Sequence, residues 1–120
     1  MLFYRERDNY LIMITTAKFN IGQVVRHRHY DFRGVVYDVD PTFSNTEEWY
    51  QSIPEAVRPI KEQPFYHLFA ENDESPYEAY VSEQNLVLDE SERPVGHPAI
   101  AHAFKRDQQG FYHLREQLGH

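Results

Sequence analysis

Between Gln23 and Leu88 the apolar residues fall into short runs, several alternating with period two, each cut off by proline, glycine or polar breakers. Val35–Asp40 is the clearest, with Val35, Tyr37 and Val39 on one face and Val36, Asp38 and Asp40 on the other. Asp40-Pro41 ends it, because proline has no N–H to give a ladder. Before it, Gln23–Tyr30 reads as a strand, and Asp31-Phe32-Arg33-Gly34 has hairpin-turn chemistry, with Gly34 free to take positive φ. Phe65–Ala70 has two largely apolar faces and belongs in the middle of a sheet. Tyr77–Val81 returns after the polar turn 71–76, and Leu86–Leu88 adds a fifth short strand. The pattern predicts a mostly β domain, a small SH3-like antiparallel barrel.

The expected organisation is an arm at 1–16, the barrel domain at 17–93 and a C-terminal extension at 94–120. Residues 1–12 read as a weakly ordered arm or as the product of an upstream start, Met13 being a second start. The connection 41–64 is long and acidic; Ser44 or Asn45 can cap a short helix to about Ser52, and Pro54 and Pro59 keep the remainder irregular. In the extension, Ile100–Phe104 suits one helical turn, while Phe111, Leu114 and Leu118 recur at helical spacing. This extension is expected to pack on the barrel or on a neighbouring subunit.

With 120 residues, 41% hydrophobic and 15% aromatic, the chain can build one core unaided, and disorder or a coiled coil is excluded. It has no cysteine, so disulfides and thiol chemistry are absent. The longest aliphatic run, Leu11–Ile14, is far below the roughly 20 residues that cross a bilayer, so the expectation is a soluble, cytoplasmic protein without a membrane partner. Net charge is −7 and unevenly spread. Residues 1–33 carry six basic and three acidic side chains, whereas residues 34–104 carry three basic and fourteen acidic. An acidic domain is a poor general ligand for duplex DNA.

Four constellations could carry chemistry. Arg26 and Arg28, with Arg33 and Lys18 nearby, form a basic set able to contact phosphates or carboxylates. His27 and His29, with Asp31 or His67, are metal-ligand types, but no fixed ligand motif accompanies them and no metal or other cofactor is expected. Asp38 and Asp40 share a strand face as a glycosidase pair would, without a cleft-forming architecture around them. Among the aromatics, Trp49 and Tyr50 stand apart from the strand residues Phe65, Tyr66, Tyr77 and Tyr80: flanked by Glu47 and Glu48, they are either a protein-binding hot spot or a cap on the open end of the barrel. There is no G-x-S-x-G, Walker loop or H-E-x-x-H, and no enzyme is expected.

Two blocks of sequence resemble a known family. Phe19–Arg28, followed by Arg33-Gly34-Val35-Val36 and Asp38–Pro41, is similar to the opening of the YccV-like domain of the heat-shock protein HspQ family. Gln63–Leu68 and Tyr80–Leu86 fit its second block, in the same order and across the same acidic loop. The resemblance implies an SH3-like barrel, a non-enzymatic role, small homo-oligomers such as trimers and a bacterial cytoplasmic setting. It also implies two functions: binding of hemimethylated DNA, and a stress-linked role in turnover of the replication initiator and stimulation of the Lon protease. Between them, the protein-binding reading is preferred, with an ATP-dependent protease and its clients as partners and Trp49, Tyr50, Glu47 and Glu48 as the surface. The alternative is duplex DNA held by Lys18, Arg26, Arg28 and Arg33, which offers only three or four phosphate contacts per subunit against six to ten in strongly salt-sensitive binders.

Overall fold

The computed structural model describes residues 2–7 and 10–115, those up to residue 16 by their backbone alone. The segment expected to be a weakly ordered arm instead contains two strands. β1 (Leu2–Arg7) and β2 (Tyr10–Thr16) pair antiparallel, with a register irregularity between Phe3 and Tyr4.

Five further strands form one antiparallel sheet: β3 (Val24–His27), β4 (Arg33–Asp40), β5 (Phe65–Glu71), β6 (Pro76–Ser82) and β7 (Leu86–Leu88). Their spatial order is β6-β5-β4-β3-β7, so the last two strands in sequence occupy opposite edges. Only Glu83–Asn85, a 3-10 turn, separates them. The four backbone steps from Ser82 to Leu86 reach at most about 14 Å. A flat five-stranded sheet would hold its edges about 19 Å apart. The sheet must therefore curl, and it does so around an inner core of Phe19, Val25, Val36, Val39, Tyr66, Leu68, Ala70, Val81 and Leu86. It does not close. Among the described residues no ladder joins β6 to β7, because the 3-10 turn occupies the gap: Glu83 N–H donates to the Pro64 carbonyl and Arg28 N–H to that of Asn85 (both 2.9 Å). The expected barrel is thus a curled open sheet. Tyr66 of β5 ties the 3-10 turn to the chain before β3: its hydroxyl donates to Glu83 (2.7 Å) and accepts from Phe19 N–H (3.2 Å).

Three local expectations change. The ladder of β3 stops at His27, and residues 28–31 bend, so the turn falls earlier than Asp31–Gly34. Gly34 lies inside β4 without positive φ; it is required because a Cβ there would stand 2.7 Å from the Phe69 carbonyl oxygen. β4 also bulges: its register passes from Val36↔Leu68 to Asp38↔His67, leaving Tyr37 unopposed. As a result Val36 and Val39 both face the inner core, while Val35 and Tyr37 face outward.

The extension packs on that outer face. α2 (Ile100–Ala103), the expected single turn, leads into the hairpin β8 (Phe104–Arg106)–β9 (Tyr112–Leu114). Val95, Ile100, Phe104 and Tyr112 bury themselves with Val35 in a second core. The helical spacing of Phe111 and Leu114 is therefore misleading, and both side chains are exposed; Leu118 lies outside the described residues. Gly22, at φ 95°, fits under this hairpin because a side chain would collide with the Tyr112 carbonyl, 2.3 Å from an ideal Cβ.

Arg33 holds the extension in place. Its guanidinium is buried, donating to Asp89 through Nε (3.0 Å), to Glu71 through Nη1 (2.9 Å) and to the carbonyls of Pro94 and Arg93 (3.0 and 2.6 Å). Burial opposes the charge on Asp89, but Arg33 and the Ser91 hydroxyl outweigh it and hold that carboxyl below its ordinary range. Removing the cation strands two carboxylates. Arg33→Met should cost about 3–5 kcal/mol in urea unfolding, since breaking a buried pair leaves an uncompensated charge. A loss under about 1 kcal/mol would mean that water reaches the cluster freely.

Candidate functional site

Two surfaces collect the residues singled out above. The first is a groove of about 780 Å³ along the free edge of β6. It wraps that edge: Phe65 and Tyr80 line it from the outer face of the sheet, Tyr77 from the inner face, Trp49, Ile53 and Val57 from the loop, and His29 and Tyr30 from the bend after β3. The 41–64 connection reaches the sheet through rings. Phe43 packs edge-on against Phe65 (5.3 Å between centroids) and stacks on Trp49 (5.8 Å), while Trp49 meets Tyr80 edge-on at 5.5 Å. Helix α1 (Glu47–Ser52) aims Trp49 at that contact, and its cap is Thr46, one residue past the expected Asn45. Thr46 Oγ1 accepts from Trp49 N–H at 3.0 Å, and Glu47 and Glu48 occupy the positive first turn.

The four residues assigned to protein binding are thus divided by the loop. Trp49 is half-buried and faces the groove. Tyr50 turns inward instead: its hydroxyl donates to the Pro59 carbonyl (2.6 Å), and the Lys61 ammonium lies 4.5 Å from its ring centre. Glu47 pairs with Lys61 and accepts from Gln51 (2.8 Å), and these partners hold its carboxyl below the ordinary range. Glu48 is exposed. The loop's other cation, Arg58, spends its guanidinium on the Ile53 and Gln51 carbonyls.

The basic set is divided more severely. Arg33 is withdrawn into the buried cluster and offers nothing to a partner. Arg26 is exposed but lines a polar pocket of about 320 Å³ with Asp31, Glu71, Asp73 and Asp89. Arg28 lies beyond the end of β3, so no strand aligns it with Arg26 and Tyr30. Lys18 is exposed, and its backbone N–H donates to Glu83 (2.9 Å).

Of the histidines, His27 and His29 stay in edge contact (5.9 Å between centroids), while His67 joins a different group. His27 is buried; its Nδ1 accepts N–H bonds from both His29 (3.0 Å) and Tyr30 (3.1 Å), which shapes the bend. His67 stands on β5 beside Asp40, with Nε2 2.9 Å from Oδ2, and the β4 bulge adds Asp38 to the pair. Strand alternation presents Asp38 and Asp40 only as paired acids, and the sequence groups His67 with His27, because nothing in it signals a bulge.

With the groove, the curled sheet and the covered outer face in view, the comparison with known families is decisive. The family model described as hemimethylated DNA-binding protein YccV like matches residues 17–113. The chain belongs to this YccV-like family. The match takes in Val95, Ile100, Phe104 and Tyr112 of the second core. No solved structure matches the chain.

His27 gives this YccV-like unit a titration of known sign. Burial, then the neighbouring His29, lowers its pKa below the ordinary 6.5. The neutral ring that accepts two N–H bonds is thus favoured in the fold, and its contribution is present above pH 6.5 and lost as pH falls through the lowered value. Unfolding in urea between pH 7.5 and 5 should show wild type losing more stability than His27→Asn, whose amide oxygen accepts without titrating. Parallel curves would show that the bend does not depend on the neutral imidazole.

Proposed function

We propose that this YccV-like protein is a non-enzymatic, cytoplasmic binding module that takes extended polypeptide into the β6 groove. On this reading it acts as a stress-related adaptor, working as a small homo-oligomer such as a trimer and delivering clients to an ATP-dependent protease. One observation carries the proposal: an apolar, aromatic-walled groove runs beside a strand edge whose N–H and C=O groups have no ladder partner among the described residues. An extended segment can add to such an edge through its backbone while its side chains enter the groove. Trp49 and Tyr80 supply the rigid aromatic area that usually dominates such affinity. The acidic surface around them favours basic or partly unfolded partners and speeds their encounter.

Trp49 is the single tryptophan, so its emission reports on the groove directly. Titration with a reduced, carboxymethylated unfolded protein should shift that emission saturably. Trp49→Ala should weaken binding at least tenfold, followed by anisotropy of a labelled ligand, while far-ultraviolet dichroism stays unchanged. Equal affinities for the two proteins would remove the groove from the account.

The family description favours a second reading, duplex DNA held by Lys18, Arg26 and Arg28. The three exposed cations would give a shallow salt dependence. If this reading holds, the double substitution Arg26→Ala and Arg28→Ala reduces the slope of log affinity against log salt by about 2. Absence of duplex binding by wild type at 50 mM salt ends it.

A further inference from the structure

The outer face carries a row of polar side chains that shares only Tyr80 with the groove. Directly opposed residues of antiparallel strands share a face, so Asp38, His67 and Tyr80 form one row across β4, β5 and β6. Asp40, two residues along from Asp38, joins them. Only the bulge at Tyr37 makes this possible. Without it, simple alternation would turn Asp38 to the same side as Val36, into the inner core.

The row has three features beyond a group of surface acids. One ligand atom from each of Asp38, Asp40 and His67 lies within 4.8 Å of the others, and one of the three is an imidazole. The His67 ring is held in orientation between Tyr37 and Tyr80, with centroids at 5.6 and 4.6 Å. Asp40 is oriented from outside, since the Tyr80 hydroxyl donates to Oδ2 at 2.8 Å. Asp38 Oδ1 accepts from Val39 N–H at 2.9 Å, leaving its second oxygen available. Among the described residues no lysine or arginine pairs with either aspartate, and Glu78, bonded by the Tyr37 hydroxyl at 2.8 Å, adds a third negative charge nearby.

We propose that Asp38, Asp40 and His67 bind one divalent transition-metal ion of the zinc class per chain, with water completing the coordination. Zinc takes imidazole nitrogen and carboxylate oxygen at about 2.0–2.2 Å, which sets neighbouring ligand atoms of a tetrahedron roughly 3.4 Å apart. His67 and Asp40 therefore separate by a few tenths of an ångström, and exposed Asp38 swings inward. Magnesium and calcium prefer all-oxygen shells, so the imidazole selects against them. The Tyr80 hydroxyl supplies the outer-shell bond that ligating carboxylates commonly have. That oxygen also accepts from Ser44 N–H at 2.9 Å, which joins the site to the loop carrying Trp49.

The test uses the full chain. Zinc chloride titrated by calorimetry should bind wild type with one equivalent at the tight site, and magnesium chloride should give no such event. Asp38→Asn and His67→Gln should each weaken that binding at least tenfold. His113→Gln, which alters the exposed His113–Asp107 pair (2.7 Å), should leave it unchanged. Cobalt(II) added to unmutated protein should give visible absorption bands of a nitrogen–oxygen site, and His67→Gln should abolish them. All substituted positions are on the outer surface, and dichroism establishes that the variants are folded. Zinc affinity indifferent to both Asp38→Asn and His67→Gln would overturn the site, as would wild type that binds neither zinc nor cobalt.

Discussion

Arg33 is the residue on which the arrangement of the rest depends. A guanidinium removed from water needs its donors matched, and here the partners come from β5, from the end of β7 and from the linker backbone. Arginine suits the role because its fork offers five donors at fixed angles, where a lysine would offer one mobile point charge. The Arg93 and Pro94 carbonyls can reach that fork only if the chain leaving β7 turns back across the sheet. The same bonds that neutralise the buried charge therefore start the extension along its path over Val35 and Phe69. Gly96 N–H then donates to Glu71 (2.7 Å), fastening the linker to β5, and Val95 N–H donates to the Tyr112 hydroxyl (3.0 Å) within the second core.

That path divides the sheet's outer face. Near β3 and the middle of β4 the face is covered by Ile100, Phe104 and Tyr112. Toward the start of β5 and the end of β6 it carries Asp40, His67 and Tyr80, with Phe43 and Trp49 brought in by the acidic loop. The acidic loop and the C-terminal extension each take a different end of it. The groove lies beside the edge strand β6, lined by the loop and by the bend after β3. Tyr80 belongs to both the groove and the carboxylate–histidine row, so a change at one is felt at the other through a single hydroxyl.

Strand positions were legible because burial enforces alternation: Phe65–Ala70 is central, and its Tyr66, Leu68 and Ala70 face the inner core as their pattern requires. The register of β4 was not, because a bulge costs one residue and leaves no compositional mark. Its consequence is large, since it decides whether Asp38 faces a core or a histidine. The sequence presents Gly34 as a turn residue, whereas its role is close approach of backbone, a distinction that lies on the neighbouring strand. Arg33 looked like surface charge because its partners are 38 and 56 residues away in sequence. The extension misled for another reason: three apolar residues at helical spacing cannot be told from a short hairpin when the face they cover belongs to a distant strand.

The acidic balance and the family's association with DNA meet at the same few cations. Net charge alone does not forbid binding to a polyanion, because a local field can oppose the distant one within a Debye length of about 10 Å. What matters is how many cations remain uncommitted. Arg33, Arg58 and Lys61 are each spent on internal acceptors, and Arg26 shares its pocket with four carboxylates. Among the described residues Arg26 therefore lies among acids, and Arg28 stands beyond the strand that would align it with Arg26. A polyphosphate bound by such a chain would need cations of several subunits placed side by side, whereas the apolar groove is complete within one. The proposed polypeptide reading thus rests on a feature of one protomer, and the proposed duplex reading on cations that an assembly would have to bring together.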